Sequence, residues 1–425
     1  MELSMKSSDT NGQDITSSEG QYTDAVLATI ERTADVSRAS IARHLGLSRT
    51  TASTIVSRLI AMNLLKEKNL LREGRGRPGI LLDLDDSRWR AIGAEYHSGH
   101  WSFVETDLKG KILRTAMRRV AKADPETFLD SLVEGLEEFK ACATGDLLPA
   151  VGVGAPGLVD CDRGTIIRAD DLGWKSIEVA DLVEHRLGIE VLLINRNRAS
   201  GLAEARFGTG RGVHLMIYIG IGTGISAAFI MDGQLVHGTS FSAGEIGHIT
   251  MDREGPRCAC GKQGCLHVYV SEGALVRRAT GLLAGGRSSA LGARLTGGTG
   301  ISGEDVCAAA AKGDDVACTV LQESAAWLGL AVANLITTYN PDKIVVGGPL
   351  GLSDSPLLDM VRAEASKWAM QHPFKAAMIE RGALGDFVGA FGASCLVLDR
   401  KLDLAVRSIE TNCSGEREPA SIPVN

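Results

Sequence analysis

Apolar positions along this chain follow two rhythms. Near the start they recur at helical spacing: Ala25, Val26, Leu27, Ala28 and Ile30 predict one amphipathic helix. Leu47, Ala52, Ile55, Val56 and Leu59 predict a second core-facing stripe, and a short helix between the two ends at Gly46. Ser48 is placed to cap the following helix, and Ala42 is small where two helices must cross closely. This is the spacing of a helix-turn-helix, whose second helix is free to enter a major groove. Its polar face offers Ser48, Arg49, Thr50, Ser53, Thr54 and Ser57 to phosphates and base edges; Arg38, Thr51 and Arg58 complete the candidate set. Beyond Leu64 and Leu65, the run Gly74-Arg75-Gly76-Arg77-Pro78 precedes a strand-like Ile80-Leu81-Leu82-Asp83-Leu84. It predicts a wing whose Arg75 and Arg77 reach a narrow minor groove, where negative potential is strongest.

From about Arg90 the rhythm changes to strands that break into glycine turns, alternating with helices. Ile92-Gly93-Ala94-Glu95 opens a strand pattern that continues through Trp101-Ser102-Phe103-Val104. Val151 to Ala155 runs into a tight Gly154-Ala155-Pro156-Gly157 turn, and Met216 to Ile221 breaks into Gly222-Thr223-Gly224. An apolar helix from Ala325 to Tyr339 leads to a third strand-then-glycine segment at Val345-Val346-Gly347-Gly348. Repetition of this unit in two halves predicts an α/β architecture with a ligand cleft between two lobes.

Charge sharpens the division. Between Gln21 and Arg90, twelve Lys/Arg face eight Asp/Glu, a local charge of +4 in a chain whose total is −7, so the remainder is clearly acidic. A small basic head on an acidic body is the pattern of a DNA-binding module attached to a sensing domain. Residues 1–20 and 403–425 are polar and read as a disordered and a flexible tail. The intervening domains are a head at 21–86 and a body at 87–402. Nine cysteines without a signal-like opening fit a reducing, cytoplasmic setting. No run of about eighteen apolar residues predicts a membrane span.

Between residues 244 and 265 stand one imidazole and three thiols: Gly244-Glu245-Ile246-Gly247-His248, then Cys258-Ala259-Cys260-Gly261-Lys262-Gln263-Gly264-Cys265. A Cys3His set suits tetrahedral zinc, which imposes no d-electron geometry of its own. Four protein ligands leave no position for water, so the predicted ion, Zn2+ on His248, Cys258, Cys260 and Cys265, is structural.

Taken together, these motifs resemble the ROK family of sugar kinases and repressors, over nearly everything from Gln21 to about Arg400. The resemblance implies a winged helix-turn-helix followed by a two-lobed, actin-like (ribonuclease-H-like) α/β body that binds sugar between its lobes. It maps the zinc ligands onto the same four residues. It places Gly154, Pro156, Gly157, Asn195, Arg196, Glu245, His248 and His267 around a polyol-sized ligand. The sugar kinases of the family resemble Glu-Asn-Asp-Ala-Asn where this chain reads Ile194-Asn195-Arg196-Asn197-Arg198, so Arg196 takes the place of the catalytic aspartate. A guanidinium is no base at neutral pH. The family's first strand-turn resembles Asp-x-Gly-Gly-Thr, and here bulkier residues stand at Glu95-Tyr96-His97-Ser98. His267 replaces a glutamate that contacts a sugar hydroxyl, which points to an effector with an acidic or otherwise unusual substituent. The expectation is a non-enzymatic repressor of carbohydrate-metabolism genes that binds an inverted-repeat operator as a homodimer or homotetramer and is released by a sugar or sugar derivative. The alternatives are a ROK-type sugar kinase transferring phosphate from ATP to a hexose, and a DNA-binding protein whose body is an oligomerisation scaffold.

Overall fold

A computed structural model describes residues 13–33, 35–70, 80–122, 124–298 and 300–414. The head consists of helices Gln13–Arg32, Arg38–His44 and Arg49–Ala61, closed by antiparallel strands Leu65–Leu70 and Ile80–Leu84. Ser37 caps the second helix through a reciprocal pair with Ser40, and Ser48 Oγ caps the third by accepting from the Thr51 amide at 3.0 Å. Of the two segments expected to be tails, residues 13–20 and 403–414 are helical instead, and residues 1–12 and 415–425 lie outside the described residues. The first helix already begins at Gln13, because a helix nucleated by a packed stripe extends at little cost. The last helix, Lys401–Ser414, is anchored by Leu404 and Ala405, both fully buried in a core that head and body share.

The body contains two five-stranded sheets of the same topology. In the first, strands run in the spatial order Glu190–Asn195, Asp146–Ala155, Trp89–His97, His100–Thr106, Ile112–Arg119. In the second the order is Gln234–Leu235, Ile225–Met231, Leu215–Ile221, Lys343–Gly347, Met378–Arg381. Each is a three-stranded antiparallel meander joined along its first strand to two parallel strands. The strands Asp146–Ala155, Leu215–Ile221 and Lys343–Gly347 end at the glycine turns picked out in the sequence, and such strand ends are where open α/β sheets bind ligands.

Two helices hold the lobes in register. Asn195 ends a strand and caps the helix Arg196–Phe207, its Oδ1 accepting from the amides of Asn197 and Arg198 at 3.0 and 3.2 Å. The helix Val388–Asp399, buried along nearly its whole length, packs across this helix and onto the first sheet. It approaches so closely that a Cβ on Gly152 would lie 1.9 Å from the Ala393 carbonyl oxygen, which explains a side-chain-free position in a central strand. The helix Asp315–Tyr339 is long and apolar enough by length and composition to cross a membrane, but it lines the core of the second lobe. A further core joins head to body: Val26, Ile41, Val56 and Leu59 share it with Trp89, Leu148, Val397 and Leu404. Trp89 also donates its indole N–H to the Met62 carbonyl at 2.9 Å.

Candidate functional site

In the head, the apolar stripe Ala52, Ile55, Val56 and Leu59 is buried, which turns Arg49, Thr50, Thr51, Thr54, Ser57 and Arg58 outward. Arg38 does not stand free. Its guanidinium donates to Ser53 Oγ at 3.0 Å and Ser57 Oγ at 2.9 Å and pairs with Glu67 at 2.9 Å. It therefore braces the second helix against the third and against the first wing strand, and the open cations on the outward face are Arg49 and Arg58. The wing strands pair as expected; Arg75 and Arg77 lie outside the described residues.

The donor atoms of His248, Cys258, Cys260 and Cys265 all lie within 4.8 Å of one another and form a group that could hold a metal ion. Cys258 Sγ is 3.7 Å from His248 Nδ1, and Cys260 Sγ is 3.7 Å from Cys265 Sγ. Two sulfurs at ~2.3 Å from a common tetrahedral centre stand about 3.8 Å apart, so the spacing fits zinc. The loop is folded for this by its own backbone: Cys258 N–H donates to the Lys262 carbonyl at 2.8 Å, and Thr250 bridges to Cys265. Gly264 has φ +65°, and a Cβ there would meet the Asp252 carbonyl oxygen at 1.5 Å, so no other residue fits.

Between the lobes, the residues singled out in the sequence converge. Asn195 Nδ2 donates to the Gly157 carbonyl at 2.8 Å, tying the helix cap to the Gly154–Gly157 turn. Arg196 donates to Thr223 Oγ1 of the opposite lobe at 2.8 Å. The rings of His248 and His267 stack with centroids 6.0 Å apart, and His267 Nε2 lies 3.5 Å from Asp171 Oδ1. Glu245 Oε1 lies 3.4 Å from Arg198 Nη2. Burial raises the pKa of Glu95 to about 7, although Arg196 opposes the shift. His97 is pushed down to about 3, by burial first and then by the positive charge of Arg196. Burial likewise raises Glu245 against the pull of Arg198.

The profile of the ROK family matches residues 96–400, and that of a winged helix-turn-helix DNA-binding domain matches 25–66. The chain belongs to the ROK family. It is 26% identical to the xylose repressor of Bacillus subtilis (strain 168) over 381 residues, which span 89% of this chain and 95% of that protein. It is 33% identical to the glucokinase of Streptomyces coelicolor over 299 residues, 68% of this chain and 92% of the glucokinase. The crystal structure of a ROK family transcriptional regulator, a homolog of the E. coli MLC protein, superposes with a TM-score of 0.79 at 26% identity and covers 92% of this chain and 98% of that one. The match to the repressor takes in the head as well as the body, so the chain has the architecture of a ROK regulator: a winged helix-turn-helix on an actin-like, sugar-kinase-like body.

Within the ROK body, sequence reasoning missed several residues that shape the cleft. Arg198 lies in the same strand-end motif as Arg196 and is fully buried. Two arginines in a stretch that ends a buried strand were a readable signal. Glu95 was visible as an acid in an otherwise apolar strand. Asp171, which follows the strand Thr165–Ala169 in a short 3-10 turn, had no motif to mark it.

Proposed function

We propose that this protein is a sequence-specific, DNA-binding transcriptional repressor of carbohydrate-metabolism genes, controlled by a sugar-derived effector in a body that does not transfer phosphate. The observation that carries this reading is Arg196. It occupies the first position of the interlobe helix, where the family's kinases have their catalytic aspartate, and its guanidinium is committed to Thr223 across the cleft. Glu95, a carboxylate within the field of Arg196, is held towards its neutral form and lies under the helix Val388–Asp399, where a Cβ on Gly389 would be 2.2 Å from its carboxyl group. It is enclosed away from an incoming hydroxyl. Losing a general base typically lowers the rate by about 10²–10⁴-fold.

In this reading Asn195, Glu245, His248, His267 and the Gly154–Gly157 turn hold the sugar ring. Structural zinc on His248, Cys258, Cys260 and Cys265 fixes the segment that carries Glu245. Arg49, Thr50, Thr54 and Arg58 read the operator, while Ser48 and Thr51 set the start of the recognition helix and Arg38, Ser53 and Ser57 support it. Arg75 and Arg77 of the wing track the minor groove. The protein works in the cytoplasm as a homodimer or homotetramer, so that two heads meet the half-sites of an inverted repeat. Effector binding closes the lobes and changes the placement of the heads by its differential affinity for the two states, commonly about 1–3 kcal/mol.

Fluorescence anisotropy on the DNA flanking the protein's own gene, across a salt series and a sugar panel, tests this. The expected result is tight, salt-steep binding that one compound relieves, with ADP release from ATP plus sugar at background. Sugar-dependent ADP release above background would establish the kinase instead. Operator binding indifferent to every compound would reduce the body to a scaffold.

A further inference from the structure

Arg198 of the interlobe helix and Glu245 of the second lobe form a lopsided pair. Glu245 follows Gly244, whose φ is +94° and where a Cβ would lie 2.0 Å from the Ala227 carbonyl oxygen. The Ala227 amide donates to the Gly244 carbonyl at 2.7 Å, and the Glu245 carbonyl accepts from the His248 amide at 3.1 Å. The backbone under Glu245 is thus fixed to the strand Ile225–Met231 and to the metal loop. Its side chain has less to hold it: among the described residues, the donor to its carboxylate is Arg198 Nη2, 3.4 Å from Oε1. Arg198 is fixed independently, by the cap in which Asn195 Oδ1 accepts from its amide at 3.2 Å.

The two side chains differ sharply in exposure, 26% for Glu245 and 1% for Arg198. A molecule in the cleft therefore reaches the carboxylate and finds the guanidinium behind it. Nε and Nη1 of Arg198 are buried without a partner. Unmet charged donors are costly, and a well-packed apolar side chain of similar size in such a place is often neutral or stabilising. Stability alone is thus a poor account of this guanidinium. What it holds is Oε1 of Glu245, which leaves Oε2 to accept from the cleft.

We propose that Arg198 is a positioning residue of the effector site: it holds Glu245 by Oε1 from behind, so that Oε2 accepts one particular hydroxyl of the effector. This rests on the reading of the cleft as a sugar-effector site and adds the group that makes the site discriminate. A carboxylate free to change rotamer accepts from hydroxyls at several positions, whereas one pinned by a buried guanidinium is committed to one. A ligand without that hydroxyl leaves a half-buried carboxylate oxygen unmet, which is how sites built to bind a hydroxyl reject the analogue that lacks it.

The test is calorimetry on the full chain with glucose, galactose, mannose and xylose, and with the singly deoxygenated analogues of those that bind. Parent, Arg198→Met and Arg198→Lys are compared. In the parent, loss of one hydroxyl should weaken binding by about tenfold or more. In Arg198→Met the penalty at that position should fall to about threefold or less, while the other positions keep theirs. Arg198→Lys retains a cation for Oε1 and should stand between the two. The melting temperature of Arg198→Met should equal or exceed that of the parent, because the unmet donors are gone and Glu245, partly exposed, can take water instead. A purely structural arginine behaves differently: Arg198→Met would then melt lower or fail to fold and lose affinity for every analogue alike, which overturns the inference. So does a set of penalties that is the same in parent and Arg198→Met, or that is flat in the parent. In each of these cases the effector reading stands. Failure of every sugar to bind the parent, with operator binding intact, overturns both.

Discussion

Glu95 shows how burial and one neighbouring charge together set the protonation of a side chain. It stands at the end of a strand whose neighbours, Ala94 and Tyr96, are core residues, and it is 8% exposed. A carboxylate there loses its hydration, and the partial compensation by Arg196 leaves its pKa near 7, against 4.5 for the free side chain. The sign of the consequence is fixed by linkage. The folded state holds this proton more tightly than the unfolded state, so the contribution of Glu95 to stability is present below about pH 4.5. It is lost as pH rises towards 7 and is constant above that. Glu95→Gln removes the proton from the balance, so the variant should gain on the parent between pH 4.5 and 7. By pH 8 it should be more stable by an amount of the order of 1–3 kcal/mol. Urea melts of both proteins at pH 5 and pH 8 measure this directly. Equal differences at the two pH values would mean that Glu95 is ionised throughout, with Arg196 as a full partner. Arg196 acts on the same strand end: its field adds to burial in depressing His97 and opposes burial at Glu95, so one guanidinium influences both groups.

Elements differ in how much of them a sequence discloses. The recognition helix was legible because the 3.6-residue period of Ala52, Ile55, Val56 and Leu59 and the cap at Ser48 are local properties of the chain, and the structure buries and caps them accordingly. The metal loop was legible for the same reason, since its four donors lie within eighteen residues. The bracing of Arg38 by Ser53, Ser57 and Glu67 was not legible, because these partners come from two later elements that only tertiary structure brings near. The first helix was read at its stripe from Ala25 to Ile30 but not at its start, because residues 13–20 carry no apolar period, and Lys401–Ser414 was under-read because Leu404 and Ala405 find their partners in elements distant in the sequence. Two outcomes follow at this scale. Arg49→Ala should weaken operator binding and reduce the slope of log affinity against log salt by about 1, as expected for the loss of one phosphate contact; an unchanged slope would place Arg49 away from the backbone. Structural zinc contributes about 10–16 kcal/mol in small peptides. Chelation, or Cys258→Ser, should therefore unfold the loop that carries Glu245, lower the melting temperature and abolish the effector response together. Full retention of both would show that the four donors hold no ion of structural consequence.

Across the whole molecule, the path from cleft to head is short and made of packed elements. The helix that starts with Arg196 in the cleft ends near Arg206, whose guanidinium engages both carboxylate oxygens of Asp399, the last residue of the helix Val388–Asp399. Two residues later Lys401 opens the final helix and pairs with Glu31 of the head's first helix. Leu404 and Ala405 sit in the core that also contains Val26 and Leu27. The ion pairs Arg206–Asp399 and Lys401–Glu31 therefore link the interlobe helix, through the helix Val388–Asp399 and the start of the final helix, to the first helix of the head. Proximity alone does not demonstrate coupling, but a thermodynamic cycle does. In the parent protein the factor by which effector lowers operator affinity must equal the factor by which operator DNA lowers effector affinity. Arg206→Gln leaves the cleft lining and the recognition helix untouched, so each affinity measured alone should change little. The coupling factor should fall at least threefold, and equally in both directions. Retention of the parental factor in this variant would move the connection to the direct contact between Trp89, at the start of the first sheet, and Met62 of the head.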